Sequence, residues 1–139
     1  MKLVIDASVA IKWALPQKPN EKDFDRALEL LDAIAIGVVE ALQPPHWIGE
    51  ILAVISRLDR SRIDQTVQLL TRMPKRTLES EAIYCRAGQI AADLNHHLFD
   101  TLYHAVALDT GAMFVTADER YYAKAEYLGS IGRLADYRL

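Results

Sequence analysis

The segment LVIDASVAIKWAL, residues 3–15, predicts the start of an α/β fold. Residues 2–5 are mostly apolar and branched, as in a buried strand, and residues 7–15 have the pattern of a helix that Pro16 ends. Asp6 stands between the two elements. In an open parallel sheet, ligands bind beyond the carboxyl ends of the strands. The segment therefore predicts an acidic side chain at the ligand-binding edge of a sheet.

The rest of the chain alternates helices with short strands. Further helices are predicted, from apolar spacing and from Pro and Gly boundaries, at residues 23–36, 47–58, 63–73, 80–94, 100–110 and 118–127. Further strands are predicted at residues 38–42, 77–78, 113–116 and 131–134. This alternation favours an α/β protein with parallel strands and right-handed helical crossovers that cover both faces of the sheet. No linker divides the chain, so we expect one domain over residues 1–139.

The composition is that of an ordinary globular protein, with 51% hydrophobic and 25% charged residues. Asp6 and Lys12 interrupt any apolar stretch of signal-peptide length, and the longest apolar run, around residues 33–39, is too short to cross a membrane. We therefore expect a soluble, cytoplasmic protein. The single cysteine, Cys85, has no partner for an internal disulfide, and we expect it to be a buried, inert thiol.

Four carboxylates are the candidate functional residues. Asp6 and Asp118 closely follow predicted strands, Asp100 opens a helix that leads back to the sheet, and Glu50 lies one turn into its helix. Each aspartate alone is explained better as a helix N-cap. Glu50, however, has no capping role, and carboxylates that crowd together need raised pKa values or a bound cation. An all-oxygen set suits Mg²⁺ or Mn²⁺, and the chain has no Cys or His cluster typical of zinc.

The net charge of −3 disfavours a nucleic-acid partner at first sight. Setting aside the four candidate ligands, however, leaves 15 acidic against 16 basic residues. Several basic residues concentrate in one part of the chain: Arg57, Arg60, Arg62, Arg72, Lys75 and Arg76. This part of the chain can be either a nucleic-acid contact or a solvated surface.

Several polar residues near the acids have two explanations each. Ser8 and Thr116 lie two positions from Asp6 and Asp118, where they can hold a carboxylate or phosphate or can be simple turn residues. His104 lies four residues after Asp100, so it is either near the metal or an ordinary partly buried histidine. The adjacent His96 and His97 are expected to be solvated loop residues.

At these residues the sequence closely resembles the PIN domain family, in particular the VapC-like ribonuclease toxins of bacterial and archaeal toxin–antitoxin pairs. VIDASVAIKW resembles the first family motif, PPHWIGEILAVI the second, FDTLYHAVA the third and FVTADER the fourth. In that order, the four motifs identify Asp6, Glu50, Asp100 and Asp118 as the family's acids. The third motif differs from the usual pattern at Thr101 and His104, where apolar residues are common.

The resemblance implies a three-layer α/β/α sandwich around a parallel sheet of about five strands. It also implies endoribonuclease activity that depends on Mg²⁺ or Mn²⁺ held by the four acids. Its implied partners are an RNA substrate, a small cognate antitoxin and a second copy in a homodimer. None of these partners follows from periodicity alone.

Other functions fit the sequence less well. A phosphatase with an aspartate nucleophile needs a second aspartate at position 8, where this chain has Ser8, and a receiver domain needs an acidic pair before its first helix. No GxxxxGK[ST] or GxGxxG loop is present, which argues against nucleotide hydrolases and dinucleotide enzymes. The remaining alternative is a non-catalytic PIN-fold module that binds RNA or protein.

Overall fold

Five parallel strands form one sheet in the computed structural model, which describes residues 1–139. The strands are β1 (Lys2–Ile5), β2 (Glu40–Gln43), β3 (Arg76–Thr77), β4 (Met113–Thr116) and β5 (Ile131–Arg133). Their order across the sheet is β3-β2-β1-β4-β5, and each neighbouring pair is parallel. The centre of the sheet is therefore β1, flanked by β2 and β4, so the acids that follow β1 and β4 lie at one edge.

Helices cover both faces of this sheet. They are α1 (Ala7–Ala14), α2 (Phe24–Ala35), α3 (Trp47–Leu58), α4 (Ile63–Arg72), α5 (Glu81–Leu94), α6 (Leu98–Thr110) and α7 (Glu119–Ala125), with short 3₁₀ turns at Arg60–Arg62 and Glu126–Leu128. Helix α1 packs on α2 and α3, whereas α6 packs on α5 and on the three central strands. The predicted three-layer α/β/α sandwich is confirmed. None of the helices is both long enough and apolar enough to span a membrane.

Strand β2 begins two residues later than predicted, because the end of α2 uses the intervening backbone amides. Gly37 adopts a left-handed φ of +80°. The amides of Val38 and Val39 both donate to the carbonyl of Ala33, at 2.9 and 3.1 Å. This is a Schellman-type helix end. The amides cannot join the sheet while they close the helix, so pairing starts at Glu40.

Cys85 is exposed, and the prediction of a buried thiol was wrong. Helix α5 buries Ile83, Ala87 and Ile90. At 3.6 residues per turn, position 85 lies about 200° from position 83 and about 200° from position 87, on the opposite side of the helix. The periodicity of α5 therefore places this thiol in solvent.

Thr101, which replaces an apolar residue of the third motif, is buried between α5 and α6. Its hydroxyl lies 2.9 Å from the carbonyl oxygen of Ala87 and 2.8 Å from that of Leu98. A buried hydroxyl costs free energy unless it has a hydrogen-bond partner, and here it has two. The hydroxyl therefore fixes α6 to α5 just after Asp100.

Candidate active site

Asp6 lies at the carboxyl end of β1, beside the end of β4. The parallel register pairs Ile5 with Val115, and the amide of Asp6 donates to the carbonyl of Val115 at 3.0 Å. Asp6 is buried, with 5% of the residue exposed. It occupies the N-cap position of α1 but caps no helix amide, so the capping explanation fails for this residue.

Two hydroxyl groups hold one oxygen of Asp6. The hydroxyls of Ser8 and Thr116 each donate to Asp6 Oδ2 at 2.6 Å. Both hydroxyl oxygens also accept backbone amides: Ser8 Oγ accepts from Ala117 at 3.0 Å and Thr116 Oγ1 from Asp118 at 2.9 Å. These amides orient both hydroxyl groups toward Oδ2 of Asp6. The second carboxylate oxygen, Oδ1, is therefore left free for a ligand.

Three of the four predicted acids meet at this edge. Asp6, Glu50 and Asp100 each present a carboxylate oxygen, and these oxygens lie within 4.8 Å of one another. Glu50 is the fourth residue of α3, and Asp100 the third residue of α6, so both lie in the first turn of a helix. The positive end of a helix dipole stabilises negative charge there.

Burial and crowding raise the pKa of Asp6 to about 7, far above its ordinary value of 3.8. Burial is the largest cause, and the charges of Asp100 and Glu50 add to it, while the hydrogen bonds from Ser8 and Thr116 act in the opposite direction. A carboxyl group that is hard to ionise beside two other acids is stabilised by a cation. The donor set is all oxygen, which fits Mg²⁺ or Mn²⁺.

Glu50 is held by two side chains that the sequence did not identify. The hydroxyl of Tyr103 donates to Glu50 Oε2 at 3.2 Å, and His46 Nε2 lies 3.3 Å from the same oxygen. Burial, reinforced by the charge of Glu50, raises the pKa of Tyr103, so the phenol stays protonated as a donor. Position 46 lies one helical turn before Glu50, which is the only sequence signal that could have pointed to His46.

Asp100 has a similar partner in His96, whose Nε2 lies 2.6 Å from Asp100 Oδ2. Lys124 Nζ lies 3.3 Å from His96 Nδ1. Because a lysine ammonium only donates, Nδ1 accepts and Nε2 carries the proton toward the carboxylate. The prediction of a solvated His96 was wrong, since its side chain is 9% exposed, whereas His97 is exposed as expected.

Asp118 lies outside the cluster of the three acids. Its Oδ1 accepts the amide of Tyr121 at 3.0 Å and so caps α7. Asp118 nevertheless lines the same polar pocket as Asp100. Cationic side chains, among them Arg120 and Lys124, line this pocket too, and none of its residues is hydrophobic. The carboxylate thus has a structural contact and an open pocket beside it.

His104 is absent from the site. It is fully buried, with Nδ1 3.0 Å from the hydroxyl of Tyr121 and Nε2 2.7 Å from the carbonyl oxygen of Gly129. Burial lowers its pKa. The ordinary buried histidine is therefore the correct interpretation, although the burial is more complete than predicted.

Four of the six basic residues between positions 57 and 76 contact groups of the protein itself, and one of them, Arg57, donates to the carbonyl of Ala53 at 3.3 Å. Arg62 lies 3.1 Å from Asp59, Arg76 lies 3.1 Å from Glu40, and Lys75 donates to the carbonyl of Leu70 at 2.8 Å. These local contacts favour a solvated surface over a dedicated nucleic-acid contact. Lys124 and Arg120 instead line the pocket that contains Asp100 and Asp118.

Comparison with known families and structures gives a consistent result. The model of the PIN domain family matches residues 3–127. No curated protein sequence matches the chain. Among solved structures, a toxin–antitoxin complex from Klebsiella pneumoniae superposes with a TM-score of 0.69 at 12% identity, over 99% of each chain.

Two further structures have the same fold. VapBC2 from Rickettsia felis, bound to a DNA fragment from its promoter, superposes with a TM-score of 0.67 at 13% identity, over 96% of this chain and 98% of that chain. FitAcB from Neisseria gonorrhoeae superposes with a TM-score of 0.65 at 14% identity, over 97% of this chain and 99% of that chain. At such low identities the likeness concerns the fold alone.

Proposed function

The chain belongs to the PIN domain family, and from that premise we propose that it is an endoribonuclease dependent on Mg²⁺ or Mn²⁺, the toxin of a VapBC-type toxin–antitoxin pair. The observation that carries this proposal is the meeting of Asp6, Glu50 and Asp100 within 4.8 Å. PIN domains are generally nucleases. Three acids from distant segments would repel one another without a cation. A purely structural role would give no reason for these three carboxylates to lie so close together.

Asp6, Glu50 and Asp100 would hold the metal, with Asp118 contributing from the adjoining pocket. A divalent ion held there supplies an activated water and stabilises the departing oxygen of a phosphodiester. The protein's part is to fix the carboxylates, each through different partners. Ser8 and Thr116 orient Asp6, while the partners of Glu50 and Asp100 come from the residue before α3, from α6 and from the loop before α6.

The partner proposal is supported by the solved structures of similar fold, which include toxin–antitoxin complexes. We propose a small antitoxin as the cognate partner and a homodimer as the assembly. The apolar helices α2 and α3 are the proposed contact region, because Leu28 on α2 is 37% exposed and Leu58 at the end of α3 is 60% exposed. Co-purification with the product of the neighbouring reading frame tests the first proposal, and light scattering of the isolated protein tests the second.

The decisive experiment is incubation of the purified protein with total RNA, with Mg²⁺ or Mn²⁺ and with EDTA, followed by mapping of the cut ends. We expect discrete cuts with either metal and intact RNA with EDTA. RNA that is bound but never cut would support the non-catalytic module instead. Equal cutting in EDTA would contradict the role of the metal.

A further inference from the structure

Four aromatic rings form a continuous column from the core to the surface beside the acids. Phe114 and Tyr103 are stacked nearly parallel, with centroids 5.7 Å apart and an interplanar angle of 5°. Tyr103 contacts His46 at 4.8 Å, and His46 stacks on Phe99 at 5.2 Å with an angle of 29°. The column thus runs through Tyr103 and His46, the two side chains that hold Glu50.

Exposure increases along the column. Phe114 and Tyr103 are buried, the His46 side chain is 18% exposed, and Phe99 is 59% exposed. Phe99 directly precedes Asp100 in the first turn of α6. Its carbonyl oxygen lies 3.0 Å from His46 Nε2, which fixes the backbone at this point. A large aromatic side chain is therefore held in place at the border of the acid cluster, yet left largely open to solvent.

We propose that Phe99 is a binding residue for an unpaired nucleobase of the RNA substrate, which stacks on its open face and extends the column by one ring. This inference rests on the proposed ribonuclease function and deepens it, because it predicts that the substrate is single-stranded at the cleavage site. Every nucleobase has a π-face, so an exposed aromatic ring binds unpaired bases with little sequence preference.

The charges around the site favour a nucleotide over an apolar protein segment as the occupant of Phe99. The polar pocket that contains Asp100 is lined by Arg120 and Lys124, two cations suited to backbone phosphates. Lys124 also contacts His96 and so lies one side chain away from Asp100. A phosphate group in this pocket can therefore engage cationic side chains while a neighbouring base stacks on Phe99, the residue directly before Asp100.

The test measures binding without cleavage, by fluorescence anisotropy of a labelled single-stranded RNA of mixed sequence with Ca²⁺ in place of Mg²⁺. Phe99→Ala is expected to weaken binding by about fivefold or more, a range typical for loss of one stacked base. Phe99→Leu keeps an apolar side chain without a π-face and is expected to behave like Phe99→Ala. Phe99→Trp is expected to restore affinity, and its added indole fluorescence is expected to be quenched by the RNA.

Two controls separate this inference from the function on which it rests. Tyr84→Ala removes another exposed aromatic ring that takes no part in the column, and it is expected to leave RNA binding unchanged. The same RNA annealed to its complement should bind equally to the wild type and to Phe99→Ala. Wild-type binding that Phe99→Ala leaves unaltered would overturn the stacking role alone and would point to a protein contact at Phe99. Failure of the wild type to bind or cut any RNA would overturn the proposed function together with this inference.

Discussion

The side chain of Gln43 satisfies both backbone groups of Ile5, because Oε1 accepts the amide and Nε2 donates to the carbonyl, each at 2.8 Å. Both residues are buried. The backbones of β1 and β2 pair at Lys2 with Glu40 and at Leu3 with Ala41. At Ile5, beyond these pairs, the side-chain amide of Gln43 supplies the hydrogen bonds that a neighbouring strand would otherwise make. It therefore fixes the end of β1 directly before Asp6.

Replacing Gln43 with leucine should destabilise the protein by about 2 kcal/mol or more, since it leaves a buried amide and a buried carbonyl without partners. Urea denaturation measures this change. Gln65→Leu, at an exposed position of α4, is the matched control and should change stability by less than about 0.5 kcal/mol. Equal stability of the two variants would show that water replaces the Gln43 contacts.

Neutralising any of the three clustered acids should reduce metal-dependent RNA cleavage by more than about a hundredfold, because each would contribute a metal ligand. The variants are Asp6→Asn, Glu50→Gln and Asp100→Asn, assayed with Mg²⁺ and with Mn²⁺. Asp25→Asn, on the exposed side of α2, is the control. Circular dichroism should show an intact fold for all of them. Cleavage at the wild-type rate by both aspartate variants of the cluster would refute the site.

Without metal, Asp6→Asn should be more stable than the wild type above pH 7. The folded protein holds the Asp6 proton up to a pKa of about 7, whereas the unfolded chain releases it near 3.8. Folding therefore takes up a proton between these values, and the contribution of Asp6 to the free energy of unfolding falls as pH rises through this window. The advantage of Asp6→Asn should be a few degrees in melting temperature above pH 7 and should shrink as the pH is lowered toward 4.

Adding Mg²⁺ or Mn²⁺ should make the wild type more stable than Asp6→Asn, since metal binding to the folded state stabilises the wild type by mass action. Asp6→Asn should show little metal-dependent change in melting temperature. Differential scanning fluorimetry in EDTA and in metal, over a pH series, measures both effects. A wild type that is the more stable protein in EDTA at pH 8 would contradict the crowding on which the site depends.

Replacing His96 with alanine should weaken Mn²⁺ binding by about 10- to 100-fold, because residues that orient a metal ligand typically have effects of this size. Titration by electron paramagnetic resonance measures the affinity independently of cleavage. His97→Ala is the matched control, since His97 is the exposed neighbour and makes no hydrogen bond to Asp100. Equal Mn²⁺ affinities in both variants would show that Asp100 needs no partner.

Asp118 can be tested separately for its two roles. Asp118→Asn keeps a side chain that can cap α7, so the melting temperature should change little, while loss of the charge should reduce cleavage. Asp118→Ala also removes the contact with the Tyr121 amide and should cost about a further 1 kcal/mol of stability. Unchanged cleavage by Asp118→Asn would leave this residue with its structural role alone.

Local sequence patterns were sufficient to predict the fold and the acids. The apolar run before Asp6, and the strand at Met113–Thr116 followed closely by Asp118, required only strand periodicity and the rule that parallel strands meet at one edge. Gly37 and Gly111 marked helix ends because both have the left-handed backbone that glycine adopts without strain. These features depend on residues that are close together in the chain.

The tertiary structure decided which residues touch the acids. Tyr103 lies 53 positions from Glu50, and Thr116 lies 110 positions from Asp6, so only the packing of the whole chain places these side chains on the acids. His46 and His96, in contrast, each lie four residues before the acid that they contact, a spacing that one helical turn brings together. The exposure of Cys85 likewise follows from the periodicity of α5, which places position 85 opposite the apolar positions 83 and 87. The sequence determined where each acidic group stands along the chain. Distances between groups that are 38 to 110 positions apart depend on the packing of the whole core, which no local pattern contains.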